Sequence, residues 1–312
     1  MSKNWLVSVI VPNYNHSKFL DQRIQSILNQ TYKNFELIIL DDCSPDNGAS
    51  KSVIEKYRDN PHVSHIVYNE SNSGSTFKQW DKGINLSKGE LLWIAESDDY
   101  CEPIFLETLV HEFERDSQLS LAYTLLRKVD AEGRLIPYLR RLPCGVTRLN
   151  GYDYVRRYMT TGNHCANASA ALFKKEAYNS IDKQYVTYKA GGDALFWIEV
   201  AELGNVAIVN KELSYFRQHK QKVTPLSAMK GINSAEAKKT YDYICSNFDF
   251  SQFRKQLMVD HSVRLIQKIP LESEELRRDL LKLWGRNEGL SMYKNLKLKL
   301  LEIIQHRFSV YP

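Results

Sequence analysis

Short apolar runs, each stopping at polar or acidic residues and separated by segments with helical spacing, limit what the first hundred residues can form. Leu6-Val7-Ser8-Val9-Ile10-Val11 is closed by Pro12-Asn13-Tyr14-Asn15, and Phe35-Glu36-Leu37-Ile38-Ile39-Leu40 by Asp41-Asp42. Leu91-Leu92-Trp93-Ile94-Ala95 runs into Glu96-Ser97-Asp98-Asp99. Runs bounded in this way read as strands buried on both faces. Between the first two, Leu20, Ile24, Ile27 and Leu28 recur at i, i+4, i+7 and i+8, which makes one apolar helix face. Further helices are expected around residues 50–57 and over 76–86, with another strand at His65-Ile66-Val67-Tyr68. Strands alternating with helices imply a largely parallel sheet covered on both faces, an α/β fold of nucleotide-binding type.

The acids after Ala95 fall at the rim of such a sheet, where open α/β folds place ligands. On a regular strand Glu96 and Asp98 share a side and Asp99 points away unless the chain turns. Clustered carboxylates repel, by roughly 1 kcal/mol at 4 Å in water and about 4 kcal/mol at an intermediate dielectric. A divalent cation with oxygen ligands removes that cost, and Mg²⁺ or Mn²⁺ commonly accompanies a phosphate.

Beyond Pro103 the spacing predicts a helix over 104–115, strands over 119–125 and 168–173, and a polar hairpin around Ala131-Glu132-Gly133. A helix over 193–203 precedes two short strands, 206–209 and 213–217, and from about Pro225 only helical patterns remain. The last of these carries Leu296, Leu300, Ile303, Ile304 and Phe308 on one face, with Lys294, Lys297, Lys299 and Arg307 around it. The expected organisation is a domain over 1–225, divided at about residue 103, and a helical extension over 226–312.

Charge and cysteine usage narrow the function classes. From Lys230 onward there are 15 Lys and Arg against 10 Asp and Glu, so the formal +5 of the chain lies there and residues 1–229 are neutral. A neutral first part argues against a nucleic-acid footprint. Five scattered cysteines without a CxxC pair argue against a zinc site or a disulfide framework and fit a reducing cytosol. Neither an apolar membrane span nor a signal peptide is expected. With no Walker-type loop and no GxGxxG after the first strand, phosphotransferase and dehydrogenase readings are weakened.

Four motifs fall where strands or their connections end: Pro12-Asn13-Tyr14-Asn15, Asp41-Asp42, Glu96-Ser97-Asp98-Asp99 and Gly191-Gly192-Asp193. Together with Gln30-Thr31-Tyr32 and the spacing Asp41-Asp42-x-Ser44-x-Asp46, this ordered set resembles the family 2 glycosyltransferases of the GT-A fold. The likeness is dense over about 6–103 and sparser to about 219. It implies a GT-A nucleotide-sugar-binding domain with a mixed, mainly parallel sheet. The expected activity is inverting, metal-dependent transfer of a sugar from a UDP- or dTDP-sugar to an acceptor hydroxyl, in bacterial surface polysaccharide synthesis.

Carried over by resemblance, Pro12 and Tyr14 line the nucleobase pocket and Asp42 accepts from a uracil-type imide. Asp41 is left as structural. Glu96 stands where relatives carry aspartate, Asp98 contacts nucleotide and metal, Asp99 is the second metal ligand, and Lys78 reaches a phosphate. Asp193 deprotonates the acceptor, although aspartate also suits a helix cap. Arg217 or His219 closes on the diphosphate, and His164, Cys165 and Asn167 line the acceptor side. The cofactor is Mn²⁺ or Mg²⁺, and the partners are a nucleotide-sugar and a glycan or lipid-linked acceptor, with no nucleic acid. The location is cytoplasmic, or peripheral at the inner face of the plasma membrane if the basic C-terminal helices dock there; those helices equally suit a second copy. The alternative is a catalytically silent nucleotide-sugar- or glycan-binding module on the same fold.

Overall fold

Val7, Val9 and Val11 alternate with Ser8 and Ile10 along the first strand, and both sets are buried, because helices cover both faces of the sheet. A computed structural model describes residues 3–137, 145–219 and 223–308. Cys144 lies outside the described residues, as do the side chains of the last helix beyond Leu300.

In chain order the elements of the first part are β1 (Val7–Asn13), α1 (Ser17–Leu28), β2 (Phe35–Asp41), α2 (Ala49–Glu55), β3 (Val63–Tyr68), α3 (Thr76–Leu86) and β4 (Leu91–Ile94). There follow β5 (Tyr100–Cys101), α4 (Phe105–Arg115), β6 (Leu119–Val129), β7 (Val146–Asn150), α5 (Gly151–Tyr154), β8 (Ala171–Lys174), α6 (Lys175–Ser180), α7 (Gly192–Glu202) and β9 (Asn205–Arg217). The nine strands among the described residues form one sheet in the order β3-β2-β1-β4-β8-β6-β9-β5, with β7 on β9. β1, β2, β3, β4, β6 and β9 run in one direction; β5, β7 and β8 run against them. The α/β class and the mainly parallel sheet agree with the expectation.

Three segments differ from the expected pattern. Residues 205–217 form one strand instead of two, because its register against β6 shifts where Asn210 and Lys211 pass Thr124 and Leu125. A bulge absorbs the break in the apolar pattern. Strand β6 runs on to Val129, four residues past its expected end at 125, because β9 supplies pairing partners there. Residues 168–170 form a 3₁₀ turn ahead of the short β8.

One face of the sheet packs Ile10, Ile38, Leu92 and Ile94 against Phe77 and Trp80 of α3 and the apolar residues of α7. The other packs Val9, Val11, Leu37, Ile39 and Trp93 against α1, α2 and α4. After β9 come α8 (Val223–Met229), α9 (Ile232–Asn247), α10 (Gln252–Lys268), α11 (Glu274–Leu283) and α12 (Met292–Phe308). Val263, Ile266, Leu280, Leu281, Trp284, Leu290 and Leu298 form a third cluster there. Ile244 of α9 and Met258 of α10 instead join the core that lies beneath α7.

Candidate active site

The acidic segment is a turn. Ala95 still donates to the Ile10 carbonyl at 2.8 Å, and then the Asp99 N–H donates to the Glu96 carbonyl at 3.2 Å. The turn sends the two aspartates apart. Asp99 is 1% exposed and points inward, accepting from Asn167 Nδ2 at 2.7 Å and from the Arg217 N–H at 2.9 Å. Asp98 points to the rim, with one carboxylate oxygen 2.9 Å from His219 Nε2.

His219 reaches it because β5 pairs antiparallel with Tyr215 and Ser214, and the Tyr100 and Tyr215 rings stack at 4.4 Å. The end of β9 is thereby folded over the turn. Arg217 is consumed in that fold: Nε donates to the Asp98 carbonyl at 2.8 Å, Nη1 to the Ala131 carbonyl at 3.0 Å and Nη2 to Gln22 Oε1 at 2.6 Å. The structure thus gives Arg217 a scaffolding task in place of the expected diphosphate contact. Gln30 is scaffolding too, donating to the Glu102 carbonyl and accepting from the Leu106 N–H, both at 2.8 Å.

His16, just before α1, completes the cluster, its Nδ1 2.9 Å from Ser97 Oγ and its ring 5.2 Å from that of His219. Ligand atoms of His16, Asp98 and His219 all lie within 4.8 Å of one another. Two imidazoles and a carboxylate fit Mn²⁺ or a similar first-row ion better than Mg²⁺, which favours oxygen ligands. Asp99, expected as the second ligand, lies outside that group because Asn167 and Arg217 hold it inward. Burial, then the charge of Asp98, pushes the Asp99 carboxyl up to about 6. Glu96 is pushed up to about 8, first by burial and then by Asp98, while its Oε1 accepts from Trp80 Nε1 at 2.8 Å. The one-methylene difference from aspartate lets Glu96 meet that indole.

On the donor side, the β1–β2 register sets Asn13 beside Asp41, and Asn13 Nδ2 donates to Asp41 Oδ1 at 2.7 Å. Asp41 also accepts from the Ser44 N–H and hydroxyl, so it ties strand ends together, as expected of a structural residue. Asp42 accepts from Asn69, Asn72, Gln79 and both the N–H and hydroxyl of Ser73, at 2.6–3.2 Å. A carboxylate offers about four lone-pair sites, so Asp42 is filled by the loop it shapes. An imide would have to replace one of these donors; Asn72, at 3.2 Å, is the most distant. Pro12 is buried under the strand end and Tyr14 is 46% exposed at its tip. Lys78 is exposed and donates to the Ser73 carbonyl at 3.2 Å, at the edge of the same loop.

Asp193 lies in the first turn of α7, after Gly191 at the cap position, and its carboxylate accepts from the Ala194 N–H. Gly192 is required beside it: a Cβ there would stand 2.7 Å from the Tyr185 carbonyl and 2.9 Å from Phe77. Asn163 Nδ2 donates to Asp193 Oδ2 at 2.7 Å. Burial outweighs that bond and the Ala194 N–H, and pushes the Asp193 carboxyl up to about 6.

The segment 163–169 connects base and acids. Asn163 holds Asp193, Asn167 holds Asp99, and Ser169 Oγ accepts from the Glu96 N–H at 3.0 Å. Asn163 and Asn167 are four positions apart, so their Cα atoms lie at most about 14 Å apart. His164 turns aside to the Tyr123 hydroxyl at 2.9 Å, and Cys165 is buried. Two shallow clefts elsewhere, one beside Lys3 and Trp5 and one beside His111 and Lys211, contain none of these residues.

Sequence reading did not single out His16, Gln79, Trp80, Asn163 or Glu236. His16 follows the Pro12–Asn15 motif directly, and a histidine placed next to such a turn was the available signal. Nothing local marks the others.

Similar solved structures place the fold in the GT-A class. S. aureus TarS 1-349 in complex with UDP-GlcNAc matches with a TM-score of 0.64 at 17% identity, over 96% of this chain and 91% of that one. A model of glycosyl transferase family 2 matches residues 8–182, more than half the chain, and the chain belongs to that family. Among curated relatives, chondroitin synthase of Escherichia coli is 29% identical over 209 residues, 66% of this chain and 28% of the relative. The poly(ribitol-phosphate) beta-N-acetylglucosaminyltransferase TarP of Staphylococcus aureus is 31% identical over 198 residues, 62% of this chain and 56% of the relative. In both, the match spans less than two thirds of the relative's length.

Proposed function

We propose that the chain is an inverting glycosyltransferase that takes a UDP-sugar and transfers the sugar to a hydroxyl of a glycan or lipid-linked glycan in bacterial polysaccharide synthesis. The observation that carries this is Asp193: a partly buried carboxylate held by Asn163 and tied through 163–169 to the acidic turn, with its protonation raised to about 6. A base must be unprotonated at working pH yet able to accept a proton, which a value of about 6 allows.

The acceptor oxygen attacks the anomeric carbon from the face opposite the diphosphate. The new C–O bond forms as the bond to the diphosphate breaks, UDP leaves with the electron pair, and the hydroxyl proton passes to an Asp193 oxygen. Asn163 steadies that carboxylate as it takes the proton. Asp98, His219 and His16 are the residues that would hold a divalent cation, which neutralises diphosphate charge when bound. Tyr14 offers its exposed ring to the base, and the Asp42-ordered loop with Lys78 borders the ribose and phosphates. The UDP preference draws on the TarS complex, and at Asp42 a uracil imide would take the place of the Asn72 amide, the most distant of its donors.

Asp193→Asn is expected to lower UDP release by roughly 10²–10⁴-fold while UDP binding in the presence of Mn²⁺ is retained. Wild-type turnover in that variant would remove Asp193 from the mechanism. A thermal-shift screen of UDP-, dTDP- and purine-linked sugars with Mn²⁺ tests the donor, and stabilisation by purine nucleotides alone would refute it.

A further inference from the structure

We propose that Glu236, on a helix beyond the sheet, is a positioning residue for the transfer: its carboxylate holds the 188–191 loop and so sets where Asp193 presents its own. Glu236 accepts from three consecutive backbone N–H groups, those of Lys189 at 2.6 Å, Ala190 at 3.0 Å and Gly191 at 2.8 Å. It is 6% exposed, so the charge is enclosed and compensated by those bonds. The donors are the last three N–H groups before α7 begins at Gly192. Glu236 therefore fixes the chain's entry into α7 from outside the helix.

The loop is gripped from its other side as well. Ser75 Oγ donates to the Tyr188 carbonyl at 3.2 Å, and Ser75 ends the loop that Asp42 orders. Helix α9 itself is fixed at both ends of α7: Glu236 meets the start, and the Tyr243 hydroxyl donates to Glu202 at the end, at 2.7 Å. Trp284 of the third cluster reaches the same helix, its Nε1 donating to Ser234 Oγ at 3.3 Å. The C-terminal helices therefore brace the base. This inference rests on the reading of Asp193 as the base.

Around Asp193 stand the Glu236 carboxylate from α9 and, from 163–169, the Asn163 amide and the Cys165 thiol. The charge on Glu236 disfavours ionisation of Asp193. Removing the charge while keeping an oxygen acceptor therefore moves the protonation of Asp193 to lower pH.

The test uses the full chain with Glu236→Ala and Glu236→Gln, with Asp193→Asn in parallel. Amide exchange over 188–194 should quicken at least tenfold in Glu236→Ala while β1 and β4 stay protected. UDP-GlcNAc hydrolysis with Mn²⁺, in which water takes the acceptor's place, should fall by about 10- to 100-fold, with donor KM within about twofold of wild type. Glu236→Gln keeps one oxygen for the Ala190 and Gly191 N–H groups and loses the Lys189 bond, so it should recover part of the rate and shift the acid limb of kcat/KM to lower pH. Unchanged exchange in Glu236→Ala overturns the proposal whichever sugar the enzyme takes. A wild-type rate in that variant, or a Glu236→Gln limb that does not move, also overturns it. Wild-type hydrolysis by Asp193→Asn instead condemns the base assignment itself, so the two failures are distinguishable.

Discussion

Removing the Asn163 amide should push the acid limb of the reaction upward. Asp193 has a value of about 6 against an ordinary 3.8, with burial as the main cause. In wild type, kcat/KM should be flat above about pH 7 and fall roughly tenfold per unit below 6, so that at pH 5 about a tenth of the plateau remains. Without burial the limb would not appear until below pH 4. Asn163 donates to the ionised carboxylate at 2.7 Å and favours it. A hydrogen bond to a charged group contributes about 1.5–3 kcal/mol, and one pKa unit corresponds to roughly 1.4 kcal/mol. Asn163→Ala should therefore raise the limb by about 1 to 2 units, discounted toward the lower figure because water can enter the vacated space. UDP release measured from pH 4.5 to 8.5 with Mn²⁺, saturating donor and acceptor well below its KM reads the shift directly. A limb that stays near 6 in Asn163→Ala, or a wild-type profile flat down to pH 4.5, would refute the argument.

Three substitutions probe the rim. His219→Ala and His16→Ala should each weaken the Mn²⁺ dependence of UDP binding by at least about tenfold, measured by calorimetry with and without EDTA, whereas Asp99→Asn should weaken it less because Asn167 and Arg217 hold that carboxylate inward. Equal effects from all three would return Asp99 to the ligand set. Helix α12 exposes Met292, Tyr293, Leu296 and Leu300 among Lys294, Lys297 and Lys299, and no helix among the described residues is long and apolar enough to cross a membrane. Deleting residues 290–312 should abolish pelleting with anionic liposomes if that face docks on lipid; equal pelleting with and without the segment would rule this out.

Where a strand's own residues state both its burial and its end, the reading from sequence alone was close. Strands β1, β2 and β4 are continuous apolar runs stopped by polar residues, and Thr76–Leu86 carries a clear helical period, so all four lie within a residue or two of their expected bounds. Strand β5 has two residues and β7 alternates only weakly, so pairing with β9 defines them and no local pattern could. The acidic motif was legible as a site, but the separate fates of Asp98 and Asp99 were not. They depend on a turn and on the arrival of Arg217 and His219 from more than a hundred residues away.

The amino-acid order by itself determined the α/β architecture and the places where its strands stop at acids, because burial periodicity and abrupt polarity are properties of contiguous residues. Tertiary structure alone decided which of those acids are turned away from the metal-binding cluster, which histidines join it, and that Glu236 of α9 holds the loop before Asp193. Such contacts join residues distant along the chain, and their geometry exists only once the sheet has closed and the helices have packed on it.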